Sequence, residues 1–235
     1  MRPWSVIPIH ELGEPLEELP AGLLRLEPHP YQALGAPYGP GASPFRLRRT
    51  VVERLLAAQV RLRQQRPGWS LAVFDAWRPL AVQSFMVQHA FSEEARRRGL
   101  DPHQSSPALE ALRAEVGRFW APPSENPATP PPHSTGAAVD LTLADASGHL
   151  LPMGGEIDAI GPVSEPNHYR DRAAQDPAGA AARWHGRRLL LQQVMAGSGF
   201  ERHPNEWWHF SYGDQLWAWS AGQAEALYGR WPAGS

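Results

Sequence analysis

The chain has 235 residues, 42% hydrophobic and 20% charged, with a formal net charge of −2 and no cysteine. That length builds one domain with a sizeable core, and the near-balanced charge offers neither a basic footprint for nucleic acid nor a polyacidic tail. Disulfides and thiolate chemistry are excluded, and no apolar run approaches the roughly 20 residues of a membrane-spanning helix.

The N-terminal stretch Met1 to Pro8 lacks the apolar core of about 7–15 residues that a signal peptide needs, so the expected location is the cytoplasm. Residues 1 to about 45 are rich in proline and glycine and read as an extended wrap around the body. Thr50 is placed to cap a helix running to about Gln65, with Val51, Leu55 and Leu62 on its apolar stripe. Pro67-Gly68 ends it, and Ser70 to Asp75 reads as a strand with Leu71, Val73 and Asp75 on one side. The strand runs into Ala76-Trp77-Arg78-Pro79, where proline suits a helix start; the helix is expected from Leu80 to about Arg98, capped by Gly99. An arginine at such a junction either projects into a cleft, where it stabilises an oxyanion, or pairs with Asp75 at the surface.

Ser106-Pro107 opens a further amphipathic helix through Leu109, Leu112, Val116 and Trp120. Six prolines between Ala121 and Pro132 then deliver irregular, stiff backbone to His133. After the small-residue turn Ser134-Thr135-Gly136, Val139, Leu141 and Leu143 alternate with Asp140 and Thr142, the period of a half-buried strand. A carboxylate in such a place must be paired, hydrogen-bonded or metal-bound. Gly136 lets the chain double back so that His133 faces Asp140, which makes two-thirds of a catalytic zinc site. A lone loop histidine, though, is more often only hydrogen-bonded.

Beyond the strand, Gly154 to Arg172 reads as a long loop, Ala180 to Ala196 as a helix, and Gly197-Ser198-Gly199 as its end. The stretch Asn205 to Tyr212 supplies a third candidate ligand in His209 and, three residues earlier, Glu206. Hydrolysis at zinc needs three protein ligands, an open position for water, and a carboxylate that takes the water's proton. On a regular strand positions i and i+3 face opposite sides, so a turn or bulge is expected between Glu206 and His209. Strands and helices are segregated rather than strictly alternating, which predicts an α+β fold with a small central antiparallel sheet flanked by helices. One domain over 1–235 is expected, with a C-terminal tail from about 213 that holds a packing helix.

Asp75 to Pro79, His133 with Ser-Thr-Gly and then Asp140-Leu-Thr-Leu, Met153-Gly154-Gly155 with Asp158, and Glu206-Trp-Trp-His209 stand in a familiar order and spacing. They resemble the zinc D-alanyl-D-alanine dipeptidases, the VanX-like relatives of D,D-carboxypeptidases and the hedgehog N-terminal domain. The similarity runs from about Tyr31 to Tyr212. It implies one zinc per chain on His133, Asp140 and His209, Glu206 as general base, and Arg78 polarising the scissile carbonyl. It further implies Asp158 as receptor for the substrate ammonium, Tyr31 as a pocket tyrosine, and a small dipeptide as substrate. One departure is Pro131, where members usually carry a serine whose hydroxyl reaches substrate; this bears on specificity rather than on zinc. The alternatives are a D,D-carboxypeptidase acting on longer wall peptides, or a zinc-containing binding module without catalysis.

Overall fold

The computed structural model describes residues 2–232. The N-terminal wrap is extended chain interrupted by β1 (Leu16–Glu18), β2 (Leu24–Arg25) and the short helix α1 (Pro30–Ala33), and it closes with β3 (Arg46–Arg48), antiparallel to β1. Helix α2 (Arg49–Gln65) begins one residue ahead of Thr50, which is therefore not its cap. Glu14, from the wrap, takes over: its carboxylate accepts the Thr50 N–H at 2.9 Å and the Thr50 hydroxyl at 2.8 Å. A carboxylate at a helix N-terminus satisfies orphan donors and complements the dipole from either chain position.

Strand β4 (Ser70–Asp75) leads into α3 (Leu80–Arg97), which ends on Gly99 at φ +70°, and α4 (Pro107–Phe119) follows with the Ser106 hydroxyl capping Leu109 N–H at 3.3 Å. After β5 (Ala138–Ala144) the expected long loop contains a short helix, α5 (Arg170–Gln175), before α6 (Ala180–Ala196). None of the α5 residues is buried, so it carried no apolar periodicity to read. Strands β6 (Glu201–Arg202) and β7 (His209–Ser211) precede α7 (Gln215–Ser220), the expected helix of the tail.

Five strands form the main sheet in the order β2-β4-β5-β7-β6. It is antiparallel, as expected, except at its edge, where the two residues of β2 run parallel to β4. Strand β2 arrives from the wrap rather than from a hairpin, so nothing constrains it to the antiparallel sense. On one face Leu71, Val73, Val139, Leu141 and Leu143 pack with Leu55 and Leu62 of α2 and Leu191 and Val194 of α6. A second apolar cluster joins α3 and α4 through Val82, Met86, Leu112 and Val116 and takes in Tyr31 of the wrap. Alternation predicts a half-buried β5, but the strand is buried throughout, because Arg78, His133 and His209 gather over the face that carries Asp140. No helix among the described residues is long and apolar enough to cross a membrane.

One buried guanidinium ties the two chain ends to the middle. Arg48 donates to Thr135 O at 2.7 Å, Glu14 O at 2.6 Å and Gly229 O at 3.0 Å, and pairs with Glu11 at 3.0 Å. Replacing it leaves several carbonyls without donors in a dry place, so Arg48→Met should lose about 3 kcal/mol of stability. Equilibrium urea unfolding reads this directly; an unchanged midpoint would contradict it.

Candidate metal centre and active site

Cross-strand pairing sets Asp75, Asp140 and His209 in one row over three adjacent strands, β4, β5 and β7. Residues of one row share a face of the sheet. Period-two counting puts Asp75 with Leu71 and Val73 on the core face, and the structure corrects that expectation. Between Val73 and Asp75 strand β4 advances two residues while β5 advances one, from Leu141 to Asp140. Such a bulge flips every later side chain to the other face, which brings Asp75 to the Asp140 side.

His133 reaches the same row from a 3-10 turn, Pro132–Thr135, which Gly136 terminates at φ +72°. A Cβ on Gly136 would lie 2.2 Å from Leu16, so both backbone hand and space demand glycine. The turn is strapped to the 75–79 segment: Ser134 Oγ donates to Arg78 O at 2.7 Å, and Arg78 N–H to His133 O at 3.2 Å.

His133 Nε2, His209 Nδ1 and the Asp140 carboxylate converge, with separations of 3.1 Å for His133–His209, His133–Asp140 and His209–Asp140. Hydrogen-bond accounting fixes what these atoms are. His133 Nδ1 lies 2.7 Å from Ala76 O, an acceptor, so it holds the ring proton and leaves Nε2 bare. The Ser211 hydroxyl donates to Asp214 at 2.7 Å and therefore accepts from His209 Nε2 at 3.3 Å, leaving Nδ1 bare. Three lone-pair donors thus face one another with no proton between them, and Asp140 Oδ1, though buried, has no hydrogen-bond partner. A cation bound among them would reconcile them. A tetrahedral ion held at about 2.0–2.1 Å needs donors about 3.3 Å apart, so the cluster fits a metal such as zinc.

Glu206 lies in the expected turn before β7, its Oε2 3.6 Å from His209 Nδ1. Its buried Oε1 has no hydrogen-bond partner and faces His203 Nδ1 at 3.4 Å. Burial and the neighbouring Asp140 charge push its carboxyl well above the usual range. His203, which no motif flagged, accepts from Asn205 N–H at 3.3 Å, and burial keeps it neutral.

The alternative of a surface Asp75–Arg78 pair is excluded, since the two residues are 0% and 4% exposed. Arg78 donates to Asp75 through Nε and Nη2 at 3.1 and 2.8 Å, to Gln83 at 2.9 Å and to Tyr31 OH at 3.3 Å, and reaches Asp140 at 3.4 Å. The other Asp75 oxygen takes His29 at 3.1 Å and Tyr38 at 3.0 Å. His29, Tyr38 and Gln83 escaped the sequence reading, the first two because the wrap has no periodicity. Tyr31 in turn donates to Asp158 at 2.7 Å. Asp158, at φ +66°, sits in the 153–165 loop, where burial and the Asp140 charge push its carboxyl up to about 7. Arg188 pins that loop by donating to Met153 O, Glu165 O and Val163 O at 2.9–3.0 Å, with its guanidinium over Trp207. Gly154, at φ +82°, lets Tyr169 and Trp184 approach to where a Cβ would lie, 2.5 and 2.8 Å away.

All seven residues singled out in the sequence therefore belong to one neighbourhood, and six of them, all but Tyr31, line one cavity. The sequence profile described as D-ala-D-ala dipeptidase, Peptidase_M15, matches residues 25–225. A D-alanyl-D-alanine dipeptidase of Synechocystis is 45% identical over 98% of this chain and 97% of its own length. The chain belongs to the Peptidase_M15 D-alanyl-D-alanine dipeptidase family. The Escherichia coli D-alanyl-D-alanine dipeptidase is 41% identical over 62% of this chain and 56% of its own. Among solved structures, a zinc complex of the VanB-type vancomycin-resistance D,D-pentapeptidase VanY covers 95% of this chain and 97% of its own. Its TM-score is 0.47 at 16% identity.

If the three converging atoms hold the metal, His209→Ala should leave purified protein with little bound zinc, because two ligands do not suffice. Elemental analysis decides it: undiminished zinc would sink the ligand set.

Proposed function

We propose that this chain is a zinc dipeptidase that hydrolyses D-alanyl-D-alanine or a similarly small dipeptide, with one zinc on His133, Asp140 and His209. The observation that carries the reading is the buried, unpartnered Glu206 oxygen beside three converging metal-donor atoms. A bound zinc supplies Lewis acidity, lowering the pKa of water and polarising a carbonyl. Glu206 is a second carboxylate near the donor row, raised in proton affinity by burial. That suits it to take a proton from the attacking water and pass it to the leaving amine. Arg78, aimed by Asp75 and Gln83, holds its charge where the carbonyl oxygen turns anionic, without reorganising as the reaction proceeds. Asp158, oriented by Tyr31, receives the substrate ammonium, so a free amine within one residue of the scissile bond is required.

Asp158, an acid on the cavity wall able to meet a free ammonium, favours a dipeptide over a wall pentapeptide and weighs against the D,D-carboxypeptidase reading. Arg78 and Glu206, both in place, weigh against a binding module without catalysis.

Glu206→Gln should keep its zinc and lose about 10²- to 10⁴-fold in kcat, since the amide keeps the shape but accepts no proton. Single-turnover assays with parallel metal analysis check both halves; retained turnover places the base elsewhere.

N-acetylation of the dipeptide should abolish cleavage, and Asp158→Asn should raise KM for the free dipeptide about ten- to a hundredfold. Because burial raises the Asp158 carboxyl above the usual range, wild-type KM should also climb as pH falls and the carboxyl becomes neutral. The variant should lack that rise. An acetylated dipeptide or a pentapeptide cleaved as fast as the free dipeptide would overturn the reading in favour of a carboxypeptidase.

A further inference from the structure

A dipeptide is a zwitterion, and the proposed reading gives its ammonium a partner in Asp158 but its carboxylate none. A cation that borders the cavity and has donors to spare would supply one. Among the described residues two arginines line the cavity, Arg2 and Arg78. Arg78 is held by Asp75, Gln83 and Tyr31 and already has its role at the scissile carbonyl. Arg2 is not so committed: it donates to Gly117 O at 3.3 Å and, among the described residues, meets no carboxylate within 4.0 Å.

The segment that carries Arg2 is fixed in place. It enters a 3-10 turn, Pro3–Val6, whose buried Trp4 meets His203 edge-on at 5.5 Å and Trp219 of α7 at 5.7 Å. Gln215 then anchors the segment by donating to Ile7 O at 2.6 Å. Arg2 is thereby held on the Glu206–His203 side, and Glu206 is the charge that acts on it. Asp158 is bonded instead to Tyr31, which Arg78 links to Asp140 of the metal-donor set. Arg2 also stands where the cavity opens into a wider outer groove, since Arg2, Trp120, Ala121 and Pro132 border both. The neighbouring Pro131 and Pro132 have neither N–H nor hydroxyl to offer an anion.

We propose that Arg2 binds the C-terminal carboxylate of the dipeptide and, together with Asp158, fixes the accepted length at two residues. The inference rests on the dipeptidase reading and adds to it a specificity-determining residue outside the family motifs.

The test uses the full chain with nothing added ahead of Met1, as wild type, Arg2→Met and Arg2→Lys, each with zinc content and melting temperature measured. D-alanyl-D-alanine and its C-terminal amide are the two substrates. Wild type should favour the free acid over the amide by about ten- to a hundredfold in kcat/KM. Arg2→Met should lose that factor on the acid, chiefly in KM, so that acid and amide are cleaved alike; Arg2→Lys should retain part of the preference. Equal loss on both substrates, or a wild type indifferent to amidation, overturns the role of Arg2 while leaving a dipeptidase. A wild type inert toward both peptides removes the dipeptidase reading and this proposal together.

Discussion

Two carboxylates, Asp75 and Asp140, stand opposite each other on neighbouring strands, almost out of reach of water. Like charges directly across a sheet repel, and burying them unpaired is prohibitive. The architecture around them answers this one constraint. Asp75 is neutralised by Arg78 and saturated by His29 and Tyr38, which together hold it in the ionised form against burial. Asp140 receives only the outer reach of the same guanidinium, at 3.4 Å, and its remaining valence faces two bare imidazole nitrogens. The anion that Arg78 leaves uncompensated is the one available to a metal.

Rigid and adjustable parts are divided accordingly. The donor set is built on β5, β7 and a proline-stiffened turn, so its geometry is set by backbone hydrogen bonds before any ligand arrives. Groups assigned to the two ends of the substrate come instead from connecting chain: Asp158 from a loop pinned by Arg188, Arg2 from the N-terminal segment pinned by Trp4 and Gln215. Scaffolds that keep chemistry on the sheet and recognition on loops can change specificity without disturbing the reaction. Pro131 and Arg2, at the rim of the cavity and its outer groove, lie in connecting chain of that kind.

The legible parts of the sequence were those with local signatures. Alternation from Val139 to Leu143 gave β5, Ser106-Pro107 and Gly99 gave helix ends, and the motif residues gave the donor set and Glu206. What escaped depended on tertiary context. The face of Asp75 turns on a bulge that leaves no compositional trace; the cap of α2 is Glu14, 36 residues from the Thr50 it satisfies. His29 and Tyr38 lie in aperiodic wrap, and His203 and Arg2 are isolated polar residues whose importance exists only once the turn before β7 meets the N-terminal segment. Burial of both faces of β5 likewise follows from the distant residues Arg78, His133 and His209 gathering over Asp140, which no period within β5 encodes.

The central claim is that three lone-pair atoms on one sheet row share a cation. Anomalous diffraction above and below the zinc absorption edge, on crystals of the protein purified without added metal chelator, tests it most directly. The account predicts one edge-specific peak per chain, within bonding distance of His133 Nε2, His209 Nδ1 and an Asp140 oxygen, with Glu206 outside that distance. A peak bonded to Glu206 in place of one of these three, or none in that row, would contradict it.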